Sequence, residues 1–133
     1  MTSLTPDTSL LKASLESAFE RRTELSAGEI AETVRPAVAQ AIAGLESGNL
    51  RVAEPDGNGG WKVNEWLKKA VRLYFRVNDR AVIEAQPAPF WDKVESRFAG
   101  YDEARFREAG VRVVPGAVAR RGTYLGKDVV LMP

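Results

Sequence analysis

The sequence contains neither cysteine nor histidine. Without cysteine there are no disulfides, thiolate metal sites or thiol nucleophiles. Without histidine there is no Ser-His-Asp triad, no imidazole metal ligand and no imidazole general base. Acid–base chemistry on this chain falls to Asp, Glu, Lys or Tyr. No apolar run approaches the ~20 residues that a membrane-spanning helix needs. Met1-Thr2-Ser3-Leu4-Thr5-Pro6-Asp7 lacks the basic start and apolar stretch of a signal peptide, so a cytoplasmic location and no membrane partner are expected. An excess of charge is missing too. Nineteen Lys+Arg against eighteen Asp+Glu leave a net +1, too balanced for a general polyanion binder, so no nucleic-acid partner is expected. What is present suits a folded protein. The 133 residues are 44% hydrophobic and 28% charged, enough for one domain or one small domain plus the start of another.

Residues 8–25 carry Leu11, Leu15, Ala18 and Phe19 at the spacing of an amphipathic helix, with Lys12, Ser14, Glu16, Glu20 and Arg21 opposite. Ser26-Ala27-Gly28-Glu29 reads as a capping box, Ser26 accepting from the N3 amide and Glu29 reaching back. The helix that follows presents Ile30, Val34, Val38, Ala41, Ile42 and Leu45, and Gly48 closes it in the left-handed conformation. Pro36 lies inside this stripe and predicts a kink or a division. Residues 50–53 and 61–63 alternate, and the turn-rich stretch between them, 54–60, predicts a β-hairpin with a long, mobile tip. Asn64 is the expected N-cap of a third helix, from Glu65 to about Arg76, with an apolar stripe of Trp66, Leu67, Ala70, Val71, Tyr74 and Phe75. Ala81-Val82-Ile83 reads as a strand, Pro87 and Pro89 as a loop, Phe90 to Phe98 as a short helical piece, and Asp102 to Glu108 as a short helix stopped by Gly110.

From Val113 the period changes to six. First positions of successive hexads are Val113, Ala119, Leu125 and Leu131; fifth positions are Ala117, Thr123 and Val129. An aliphatic first position and a small or β-branched fifth position mark the left-handed parallel β-helix, in which each hexad forms one face of a triangular coil. A three-stranded meander with turns at Pro115-Gly116 and Gly126-Lys127-Asp128 is the alternative. A single coil cannot bury its own interior, so this segment requires stacking neighbours or something else to pack on. The expected architecture is α+β: a mostly helical N-terminal domain with a β-hairpin over 1–110, then the first coil of a left-handed β-helix over 111–133.

Several segments together resemble one family: Ala18-Phe19-Glu20-Arg21-Arg22, Gly48-Asn49-Leu50-Arg51-Val52-Ala53-Glu54, Trp66-Leu67-Lys68-Lys69-Ala70-Val71, Phe75-Arg76-Val77-Asn78-Asp79, Tyr101-Asp102-Glu103-Ala104-Arg105-Phe106, Arg112-Val113-Val114-Pro115 and Val130-Leu131-Met132-Pro133. In this order and spacing, from about residue 10 to the last, the chain is similar to the N-terminal part of the tetrahydrodipicolinate N-succinyltransferases. The resemblance implies a homotrimer whose subunits have a helical N-terminal domain, a left-handed β-helix and a small C-terminal region. It implies transfer of succinyl from succinyl-CoA to the amino group of L-2-amino-6-oxopimelate, in lysine and diaminopimelate synthesis. The active site would lie between neighbouring β-helices. The family's catalytic acids and CoA-binding loops correspond to positions beyond Pro133. This chain is therefore expected to supply no catalytic residue, bind no cofactor itself and be inactive alone. Pro36 and the glycine-rich hairpin tip are smaller departures.

Arg112 is the candidate substrate-binding residue, since the resemblance places it where the family has a substrate-contacting arginine. A guanidinium suits a dicarboxylate because it can hold a carboxylate through two parallel charge-assisted hydrogen bonds. The plain alternative is an exposed charge at the mouth of the β-helix. Lys68, Lys69, Arg72 and Arg76 follow helical spacing and read as a solvated face rather than a nucleic-acid track. Asp102, Glu103 and Arg105 read as N-terminal helix charge and a local ion pair. Gly57-Asn58-Gly59-Gly60 lacks the helix and lysine of a phosphate loop and reads as a turn. A non-catalytic interaction module is the alternative to a transferase.

Overall fold

The computed structural model describes residues 7–85 and 88–133, a mixture of helices and small two-stranded sheets. Residues 1–6, part of the segment read for a leader, and Pro87 of the expected loop lie outside the described residues. The chain forms two compact units, 1–79 and 80–133. Among the described residues no helix is long and apolar enough to cross a membrane.

The first unit is built on α1 (Ser9–Glu20), α2 (Ala27–Glu29), α3 (Arg35–Ser47) and α4 (Glu65–Val77). The α1 stripe buries Leu15 and Ala18. Its helix stops short of the expected residue 25. The Arg22 side chain turns back to donate to the Phe19 carbonyl at 2.7 Å, and residues 21–24 form turns. The capping box at Ser26 is present in both directions, with Glu29 N–H donating to Ser26 Oγ at 3.2 Å and Ser26 N–H donating to Glu29 Oε2 at 3.0 Å.

Pro36 does not break the helix. Ile30–Val34 forms a π-helical segment directly before it, and the Arg35 N–H donates to the Ile30 carbonyl. The register changes just where proline's missing donor leaves a gap, and α3 continues from Arg35 with Pro36 in its first turn. α3 ends at Gly48 in the left-handed conformation (φ 79°), and Leu50 N–H closes onto the Gly44 carbonyl at 2.9 Å.

α4 buries Trp66, Leu67, Ala70, Leu73 and Val77 against α1 and α3. Leu73 was absent from the expected stripe, whereas Val71 and Phe75 are exposed. At ~100° per residue, Val71 and Phe75 lie roughly 100° and 140° from Ala70 around the axis, off the core-facing side. Asn64 precedes α4 but does not cap it through its side chain. Its amide instead donates to the Arg51 carbonyl at 2.6 Å and to Glu54 Oε2 at 3.2 Å, tying the hairpin to the helix start. That hairpin pairs β1 (Ala53–Pro55) with β2 (Trp61–Val63), Ala53 opposite Val63. The first strand lies later than expected because Leu50 and Val52 pack on the core instead. The tip is organised around Asp56, whose Oδ1 accepts from Asn58 and Gly60 N–H at 2.8 and 2.9 Å.

The second unit pairs β3 (Ala81–Ile83) antiparallel with β4 (Phe90–Asp92). The short helix expected over Phe90–Phe98 is therefore not formed. Pro89 favours extended backbone at its neighbour, and Phe90-Trp91 suit a strand once Ala81–Ile83 offers a partner. α5 (Glu103–Ala109) is capped by Asp102, which accepts from Arg105 N–H at 2.9 Å, and ends at left-handed Gly110 (φ 66°). Phe98, Tyr101 and Phe106 stack edge-on or tilted, with centroids 5.1–5.5 Å apart. Arg97 fixes this cluster by donating to Tyr101 Oη at 2.7 Å and to the Thr123 carbonyl at 2.9 Å.

β5 (Arg112–Val113) pairs with β6 (Val130–Leu131), Arg112 opposite Val130. The pairing is parallel, three hexads apart, where a meander would pair antiparallel. Exposure follows the same period. First-position Val113, Ala119, Leu125 and Leu131 and fifth-position Ala117, Thr123 and Val129 are all at least half-covered or buried, whereas sixth-position Val118, Tyr124 and Val130 are exposed.

Candidate functional site

The turn from α5 into β5 opens a groove of about 600 Å³ in the second unit. It is lined by Glu103, Phe106 and Arg107 of α5, by the helix cap Gly110, and by Val111, Arg112, Asp128, Val129 and Val130. Gly110 makes the turn. Its N–H donates to the Phe106 carbonyl at 3.0 Å and its own carbonyl accepts from Asp128 N–H at 2.7 Å, pulling the 127–128 loop against the helix end. Asp128 takes a left-handed conformation (φ 63°), which Asp tolerates better than most side chains.

Arg112 is held by its backbone, its N–H donating to the Val129 carbonyl at 2.9 Å. Its exposed side chain lines the groove and, among the described residues, no hydrogen bond or ion pair occupies the guanidinium. A guanidinium left free in this way can take a carboxylate through two parallel hydrogen bonds. Arg107 lines the same groove. Its Nε and Nη2 donate to one oxygen, Glu103 Oε1, at 3.0 and 2.6 Å.

Residues 10–77 match the family described as "Tetrahydrodipicolinate N-succinyltransferase N-terminal". The chain belongs to this family. It is 67% identical over 123 residues to the 2,3,4,5-tetrahydropyridine-2,6-dicarboxylate N-succinyltransferase of Xylella fastidiosa, covering 92% of this chain and 44% of that protein. With the protein of the same name from Acinetobacter baylyi it shares 52% identity over 125 residues, 94% of this chain and 45% of the relative. The Acinetobacter baumannii protein is 53% identical over the same share of each. The chain thus spans less than half the length of these relatives.

Among the described residues the other charged candidates of this chain have intramolecular work. Lys68 pairs with Glu65 at 3.4 Å and Lys69 with Glu20 at 3.3 Å. Arg76 donates to the Arg22 carbonyl at 3.1 Å, and Lys69 and Arg72 lie 5.6 and 5.7 Å from the Phe19 ring centroid. Glu103 pairs with Arg107 rather than Arg105, which stacks over Tyr101 at 4.5 Å. Sequence reasoning singled out Arg112 but not Arg107 or Asp128 as its neighbours. The signals were the Glu103/Arg107 spacing, which puts both on one helix face ending at Gly110, and the hexad register that brings residues 128–130 beside 112.

Proposed function

We propose that this chain is the N-terminal part of an acyltransferase that moves succinyl from succinyl-CoA to the amino group of L-2-amino-6-oxopimelate, in lysine and diaminopimelate synthesis. The observation that carries this is the 67% identity, across nearly the whole chain, to an N-succinyltransferase. The groove adds a role for one residue: Arg112 binds a substrate carboxylate. Anchoring that carboxylate leaves the amino nitrogen free to attack the thioester carbonyl. The C–N bond forms, the C–S bond breaks, the thiolate leaves, and the nitrogen gives up a proton to a base supplied outside this chain.

Residues 111–133, at the end of the second unit, form the first coil of a left-handed β-helix. The parallel pairing three hexads apart and the six-residue rhythm of exposure support this. The exposed outer edge of β6 is where a second coil would stack. The whole protein is a cytoplasmic homotrimer with active sites between β-helices, as the family resemblance implies. Coenzyme A and the catalytic acid and base are held by segments outside this chain. The test is thiol release from succinyl-CoA in the presence of the acceptor. A full-length protein with this N-terminal sequence is expected to show it and the 133-residue chain to show none. Inactivity of the full-length protein, or activity of the chain alone, would overturn the proposal.

A further inference from the structure

We infer that the groove beside Arg112 is a two-guanidinium site for an amino dicarboxylate, in which Arg107 takes the carboxylate distal to the amino group. This builds on the function proposed above and adds a residue to it. Both arginines line one groove, Arg107 from α5 and Arg112 from β5. Phe106, Val111 and Val129 line the same groove and offer apolar surface to an aliphatic spacer.

Arg107 does not need to leave Glu103 to do this. Its Nε and Nη2 both donate to the single oxygen Oε1 of Glu103, which leaves the Nη1 side of the fork for a second acceptor. Glu103 sets the direction of the fork and so is a positioning residue. Asp128 also lines the groove and brings a carboxylate side chain to that part of the chain. A carboxylate there opposes a plain dianion and favours a ligand with a cationic amino group beside its first carboxylate. Two cations, an apolar spacer surface and one anion together match an amino acid with a second, distal carboxylate.

The test uses the full-length transferase and two ligands differing only in that carboxylate, 2-aminoheptanedioate and 2-aminoheptanoate, with affinities measured by calorimetry. Arg107→Gln is expected to weaken the diacid about tenfold, the loss of one charge-assisted hydrogen bond, and to leave the monoacid within about twofold. Arg107→Lys, which keeps the charge without the fork, is expected to fall between. If both Arg107 variants bind the diacid within about twofold of wild type, or if both ligands weaken equally, Arg107 has no role in recognising the distal carboxylate. Arg112→Lys separates this inference from the wider reading. Weakening by Arg112→Lys alone would refute the role of Arg107 only; indifference to both substitutions would remove the groove from the substrate site altogether.

Discussion

Glu29 shows how much one side chain can do on this surface. Its carboxylate accepts from the Ser26 amide at 3.0 Å and from Arg21 Nη1 at 3.1 Å, so it caps the helix that carries Val34 and Val38 into the core. The Ser26 amide first, and the Arg21 guanidinium second, hold its carboxyl below the usual glutamate value. A lowered value in the folded state means the cap stabilises fully above the ordinary glutamate range. That contribution fades as pH falls through the range and is gone below the lowered value. Glu29→Gln is therefore expected to be less stable than wild type at neutral pH, with the deficit closing under acid. Urea unfolding of both proteins across that pH range measures it. Ser26→Ala removes the other half of the box and is expected to cost about 1 kcal/mol at neutral pH.

At the scale of elements, the tightest fit is α3 against the segment leaving it. Leu50 folds back over Gly44, where an added Cβ would sit 2.8 Å from the Leu50 Cγ. Alanine is the better helix former by about 1 kcal/mol, and overpacking costs ~1–3 kcal/mol, so the clash wins. Gly44→Ala is expected to lower stability by about 1 kcal/mol, and Leu50→Ala in the same chain to relieve the clash while losing its own packing. A double-mutant cycle in denaturant reads the coupling; strict additivity would contradict the contact.

The helices were legible because their signals are local. The capping box at Ser26, glycine ends at Gly48 and Gly110, and stripes such as Val38/Ala41/Ile42/Leu45 depend on residues within a turn or two. What could not be read depends on distant partners. Phe90–Asp92 becomes a strand because Ala81–Ile83 lies beside it, and Asn64 gives up its capping role to reach Arg51 and Glu54. The π segment before Pro36 lay between, since proline announced a disturbance without fixing its form. Arg112 became a candidate through a resemblance across many segments, whereas the groove it lines needed both the α5 face and the register of 112 with 130.

On the scale of the whole molecule, the first unit has the continuous core and the second is built from short pieces. Thirteen buried residues form one cluster, all within residues 15–77, while the second unit buries Val94 and Ala119 as its hydrophobic residues among those described. A chain of residues 1–79 is expected to fold alone, with cooperative thermal unfolding followed by helical circular dichroism. If residues 111–133 are the first coil proposed above, they are expected to gain amide protection when further coils are added. Hydrogen exchange at Leu125 and Val129, compared between this chain and the full-length protein, measures that gain. Equal strong protection in both would contradict it.

The most direct measurement is the steady-state kinetics of Arg112→Lys in a full-length protein with this N-terminal sequence, with the proposed acceptor and succinyl-CoA varied in turn. Lysine keeps the charge and loses the planar fork, so the proposed two-point binding of the acceptor's carboxylate is expected to weaken. Loss of a charge-assisted hydrogen bond, ~1.5–3 kcal/mol, corresponds to a roughly ten- to hundredfold fall in kcat/KM for the acceptor. The parameters for succinyl-CoA should change little. Acceptor parameters within about twofold of wild type, under ~0.5 kcal/mol, would make Arg112 a surface charge and contradict its place in the substrate site.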